Sequence, residues 1–219
     1  MDDICYLCGT SENITRDHLP PASFFPPASR KNLITVPCCK VCNESYSLDD
    51  EAVRLWAASS LFNSEQGKWI WENKVVKSTL KRSPKLKGSL HKFVGTKKLK
   101  TQNGELEMPT FGIPTDRLNK FIKRLCKGLL YHFHPDYSYS DAEYIINNIL
   151  PSQEVNEVMP ELLGNLIYDS RGDTVFRFWR GFAIDKPDTG IFVFTFYNGV
   201  CITVTFGHNL EIDESGIKA

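Results

Sequence analysis

Two Cys-x-x-Cys pairs, Cys5/Cys8 and Cys39/Cys42, lie within the first 45 residues. Together they can supply the four thiolates of a closed, tetrahedral zinc site. Asp17, His18 and Asn32 fall between the pairs, and Asn43 follows Cys42 directly. Carboxylate and amide oxygens suit a hard divalent cation such as Mg2+ or Mn2+. A neutral imidazole can take a proton near neutral pH. Cutting a phosphodiester calls for an activated water, a cation on the phosphate oxygens and in-line geometry. In that scheme His18 is the general base, Asp17 and Asn43 hold the cation, and Asn32 fixes the loop that aims His18. Cys38 nearly duplicates a ligand, but only Cys39 keeps the two-residue gap to Cys42. A zinc staple alone fits a purely structural or protein-binding finger equally well, so Asp17-His18 is what points to catalysis.

These residues need elements to hold them. Residues 1–50 are turn-rich with little apolar mass, and a structural zinc would add the missing stability. Pro20, Pro21, Pro26 and Pro27 make the stretch after His18 an extended loop. Ile34-Thr35-Val36 reads as a short strand ended by Pro37. A helix is expected after Asn43, capped by Ser47, with Asp49, Asp50 and Glu51 at its positive end and Ala52, Val53, Leu55 and Trp56 on its apolar face. A second, amphipathic helix is expected from Thr115 to about His134, with Leu118, Phe121, Ile122, Leu125, Leu129 and Leu130 inward and Lys120, Lys123, Arg124 and Lys127 mostly elsewhere. A third is expected from Ser140-Asp141 through Ile149. Residues 174–206 read as strands, with Asn198-Gly199 as a two-residue hairpin turn.

Charge and composition narrow the function classes. The chain has 219 residues, zero net charge and an ordinary hydrophobic fraction of 42%, so it is neither disordered nor a bulk polycation. No apolar run is long enough to span a bilayer. The acidic, cysteine-bearing start is not a secretory leader, and paired cysteines suit metal in a reducing cytoplasm better than a disulfide framework. Zero net charge hides an asymmetry. Residues 74–100 hold nine lysines and one arginine without an acid, whereas 129–170 hold seven acids without Lys or Arg. The basic run is read as a loop or short strands that grip phosphates, with Lys81, Arg82, Lys85 and Lys87 as contacts and Arg16 beside the motif. Trp56, Trp69 and Trp71 are read as core, His132 and His134 as structural, and Cys126 and Cys201 as buried and inert.

Cys5-x-x-Cys8, Thr15-Arg16-Asp17-His18, Asn32-Leu33 and Cys39-x-x-Cys42-Asn43 together resemble the zinc-stapled HNH endonucleases, and the flanking residues resemble a bacterial subgroup of them. The resemblance covers about a quarter of the chain. It implies a ββα-metal fold around one catalytic cation, with His18 as base, Asp17 and Asn43 as ligands and Asn32 as the central loop residue. The expectation is therefore an α+β protein: an N-terminal zinc-stapled ββα module over 1–60, then a mixed helix and antiparallel-sheet domain over 61–219 for substrate or partner. The implied activity is metal-dependent hydrolysis of DNA, with RNA as an alternative substrate. Fold-level analogy adds a defence or mobile-element setting with an ATPase or sensor partner. The rival expectation is a zinc-stapled finger that binds nucleic acid or protein and cuts nothing.

Overall fold

A computed structural model of the chain describes residues 3–60, 63–79, 81, 94–101, 104–135, 142–151, 163–184, 186–208 and 210. It is an α+β protein built from an N-terminal hairpin, a set of helices and an antiparallel five-stranded sheet. Strand β1 (Ile14–Leu19) pairs antiparallel with β2 (Ile34–Cys39), and two 3-10 turns, Ala22–Phe24 and Pro27–Ser29, lie in the connection. The expectation that Pro37 ends β2 is corrected: the strand runs on to Cys39, with Pro37 opposite Arg16. A two-stranded ladder has free edges, so a residue without an N–H is tolerated there. The Pro37 carbonyl accepts from the Tyr6 N–H at 3.1 Å.

Helix α1 (Lys40–Ser45) follows at once, and α2 (Ser47–Ala58) starts after the single residue Tyr46. Ser47 is thus the first helical residue and not a cap. Tyr46 occupies that position with helical dihedrals and no side-chain hydrogen bond, because the chain passes almost directly from one helix into the next. Helix α3 (Glu65–Ile70) continues into a π-helical stretch, Trp71–Thr79, and Ser64 caps it through the Gly67 N–H. Helix α4 (Thr115–Phe133) matches the amphipathic pattern, with Leu118, Phe121, Ile122, Leu125, Leu129 and Leu130 all buried.

Strands β3 (Val94–Thr101) and β4 (Gly104–Phe111) form a separate antiparallel pair that takes in the end of the basic run. The remaining strands are β5 (Glu143–Pro151), β6 (Ile167–Arg171), β7 (Phe176–Ala183), β8 (Lys186–Phe196) and β9 (Val200–Gly207), in the order β5-β9-β8-β7-β6. The expected helix through Ile149 is therefore a strand. Its isoleucines favour extended backbone, and its pairing with β9 decides the matter. A register shift between Ile146 and Asn148 accommodates the polar Asn147. The β8–β9 turn is also shifted from its expected place. Tyr197 and Asn198 are the two left-handed residues, each with φ 56°, and the Gly199 N–H closes the turn onto the Phe196 carbonyl at 2.9 Å.

Period-two alternation puts Phe192, Phe194 and Phe196 on one face of the sheet, beside Phe176, Phe178, Ile202, Val204 and Phe206. All eight are fully buried. Helix α4 packs there, with Phe121 against Phe196 and Phe133 against Phe178. Its other side meets the hairpin, where Phe121 stacks on Phe24 and Gly128 lies against Leu19. One core cluster runs from Leu19, Phe24, Phe25, Ile34 and Val36 through α2 and α4 to the sheet. The first 50 residues are thus held by burial against α4 as well as by any metal. Trp56, Trp69 and Trp71 belong to this core, and Cys126 and Cys201 are buried. Among the described residues no helix is long and apolar enough to cross a membrane.

Candidate metal and hydrolytic site

The four paired cysteines come together as the spacing requires. Each pair sits on a tight turn. Gly9, with φ 75°, returns its N–H to the Cys5 carbonyl at 2.8 Å. In the second pair the Cys39 thiol caps α1 by accepting the Cys42 N–H at 3.4 Å. The sulfurs of Cys5, Cys8, Cys39 and Cys42 all lie within 4.8 Å of one another, and those of Cys8 and Cys39 are 3.7 Å apart. Zinc–sulfur bonds of about 2.3 Å set tetrahedral edges of roughly 3.8 Å, so the cluster fits zinc and is far too open for a disulfide. Burial opposes ionisation of Cys5, but the backbone donors of Cys39, Cys8 and Leu7 outweigh it and bring the thiol down to about 6. Cys38 stays outside the cluster, and burial first, then the neighbouring Cys5, pushes its thiol up.

Strand β1 carries the proposed hydrolytic residues on opposite faces, as adjacent strand positions must. His18 is half-buried, and among the described residues its imidazole has no hydrogen-bond partner. Asp17 and Leu19 face α4 and are buried. Asn43, on α1, reaches the same face as Asp17: its amide donates to Thr15 Oγ1 at 3.2 Å, and Thr15 lies two residues before Asp17. A carboxylate and an amide on one face are a donor set that fits a hard cation. Asn32 is exposed, with φ 54°, just ahead of β2. Its side chain has no hydrogen-bond partner among the described residues, so its left-handed turn is its visible contribution to the loop.

Asp17 is already engaged. Its Oδ2 accepts from the Tyr6 hydroxyl at 2.8 Å and lies 3.8 Å from Nε of Arg124, a buried residue of α4. Arg124 Nη2 is also 2.8 Å from Asp50 Oδ1, and its guanidinium lies over the Tyr46 ring at 4.8 Å. That short contact joins the two charged groups at hydrogen-bond length, whereas Arg124 Nη1 has no hydrogen-bond partner among the described residues. Burial lifts the Asp50 carboxyl to about 6 in spite of Arg124. The expectation that Arg124 lies away from the apolar face is thus corrected. It stands one turn from Phe121 and Gly128, both buried, and that position on the buried arc is the available sequence clue.

The expected phosphate contacts divide. Arg16 is exposed and pairs with Asp3 at 2.8 Å. Lys81 is exposed, whereas Arg82, Lys85 and Lys87 lie outside the described residues. His132 and His134 pack edge-on against Phe133 and Phe182, in line with a structural role. No protein-family model, curated protein or solved structure matches the chain.

Proposed function

We propose that the chain is a metal-dependent, HNH-type endonuclease that hydrolyses DNA phosphodiesters. The observation that carries this reading is the order four-cysteine staple, β1–β2 hairpin, α1, with Asp17 and Asn43 on one face of β1 and half-exposed His18 beside Asp17 on the other. His18 takes the proton of the attacking water as the new P–O bond forms and one P–O ester bond breaks. Its free imidazole and partial exposure suit that task. Asp17 and Asn43 would hold Mg2+ or Mn2+, which supplies charge stabilisation on the phosphate. Zinc at Cys5, Cys8, Cys39 and Cys42 would fix the knuckle from which α1 starts. Lys81 and Arg16 are the described candidates for phosphate contacts, and a defence or mobile-element setting with a protein partner remains an analogy from the resemblance.

The test is supercoiled plasmid, single-stranded DNA and RNA incubated with zinc-loaded protein and Mg2+ or Mn2+, beside His18→Ala. Cleavage that needs the cation and is lost by at least ~100-fold in a folded, zinc-loaded His18→Ala supports the reading. Cleavage of RNA alone would transfer it to that substrate. Equal activity of wild type and variant, or none on any substrate, would overturn it. The Asp17–Arg124 pair favours a second reading, a zinc-stapled nucleic-acid or protein binder without catalysis, in which Asp17 only ties the hairpin to α4.

A further inference from the structure

A guanidinium lies where the nuclease reading needs a cation. Asp17 and Asp50 reach one buried arginine from two elements, β1 and α2, and Tyr6 adds a hydroxyl to Asp17. With both carboxylates ionised, the cluster carries two negative charges against one positive charge in a place sheltered from water. The donors are also poorly used. Nε stands 3.8 Å from Asp17, beyond hydrogen-bond length, and Nη1 has no acceptor among the described residues. Removing a buried arginine from its partners is costly, and here the tight contact is the one to Asp50 at 2.8 Å, while the one to Asp17 at 3.8 Å is loose. A cluster with surplus negative charge and a loosely bonded counter-ion is suited to cation exchange.

We infer that Arg124 is an internal counter-cation that holds Asp17 in competition with a divalent cation, and so positions the carboxylate and sets its metal affinity. The identity of the competing ion rests on the nuclease reading; the arginine's role as counter-ion to Asp17 does not. Loss of the guanidinium should leave Asp17 available and tighten cation binding. Neutralising Asp50 should do the opposite, since Asp17 then becomes the only carboxylate facing Arg124. Lys123 is a control for general charge effects: it sits beside Arg124 on α4 but is exposed, so salt screening mutes it.

The experiment is Mn2+ titration of the full zinc-loaded chain, read by loss of the free-ion EPR signal. Arg124→Gln should bind Mn2+ at least tenfold more tightly than wild type, Lys123→Gln should stay within about threefold, and the Arg124→Gln gain should vanish when Asp17→Asn is added. Unchanged or weaker binding in a folded Arg124→Gln would overturn the inference, as would absence of Mn2+ binding to any variant. If Arg124→Gln does not fold, Asp50→Asn decides: binding weaker by at least threefold supports the inference, and equal or tighter binding overturns it. Cleavage does not enter this readout. Arg124-dependent Mn2+ binding without cleavage would retire the nuclease reading alone, and cleavage with Arg124-independent Mn2+ binding would retire this inference alone.

Discussion

Gly128→Ala tests whether the β1–β2 hairpin is docked on α4 as described. A Cβ at Gly128 would lie 2.5 and 2.7 Å from the two Cδ atoms of Leu19 and 3.2 Å from its Cγ. Leu19 is only 1% exposed, so it cannot swing into solvent and must be displaced within the core. Two effects oppose one another. Alanine in a helix interior gains about 1 kcal/mol over glycine, whereas overpacking a filled core costs about 1–3 kcal/mol. The expected result is a net loss of about 1 kcal/mol. Leu19→Ala alone should cost about 2–5 kcal/mol, since it leaves a cavity. In the double variant the new methyl enters the space that Leu19 leaves. The two losses should then fall short of their sum by about 1–3 kcal/mol. Urea unfolding of the zinc-loaded protein followed by circular dichroism measures all four corners of the cycle. Additivity to within about 0.5 kcal/mol would mean that residues 19 and 128 do not touch, and would refute the docking. Asp17 is two residues from Leu19 on one strand face, and Arg124 is one turn from Gly128 on one helix face. The Asp17–Arg124 pair would therefore fall with that contact.

Cys39→Ser keeps an oxygen able to cap α1 but removes one thiolate, so it isolates the metal. Zinc content after dialysis against a chelator should fall from one per chain to near zero. Full retention would show that Cys39 is not a ligand. Asp50 makes stability depend on pH, because its folded carboxyl titrates at about 6 against an ordinary 3.8. The native state binds this proton more tightly, so the contribution of Asp50 is greatest below pH 3.8 and declines as pH rises through about 6. The full difference is about 3 kcal/mol. Relative to Asp50→Asn, wild type should lose about that much stability between roughly pH 4 and 6.5 in denaturant titrations at saturating zinc. A flat difference, or one that rises with pH, would remove burial as the dominant influence on Asp50.

Local signals in the sequence identify what local physics decides. The four-cysteine cluster follows from two short gaps that force neighbouring thiols onto one turn, and α4 follows from apolar spacing over about five turns. Strands β8 and β9 follow from alternating aromatic and β-branched residues. The failures lie where distant partners decide. Strand β5 reads as helix until β9, more than 50 positions later, supplies its hydrogen-bond partners. The turn sits at Tyr197-Asn198 and not at Asn198-Gly199 because Tyr197 is held from three sides. Arg124 groups with its solvent-facing neighbours in the sequence, because only Asp17 and Asp50, both remote along the chain, make its burial tolerable. For the same reason the Asp-His motif marks Asp17 as a candidate ligand but does not reveal what engages its carboxylate.

Tyr197 is bound at its hydroxyl by the Phe24 carbonyl at 2.9 Å, at its N–H by the Val175 carbonyl at 2.9 Å, and at its own carbonyl by the Ser64 N–H at 2.6 Å. Left-handed backbone is unfavourable for such a side chain, and these bonds hold it there. The consequence concerns the order of assembly during synthesis. Phe24 leaves the ribosome early, yet the groups that cover it, α4 and the β8–β9 turn, come about 100 and 170 positions later. At about 5–20 residues per second, that interval is on the order of ten seconds. The Phe24 ring spends it without its final neighbours. A nascent chain stalled before residue 197 would already carry all four paired cysteines, while the loop after His18 still lacked its covering layer.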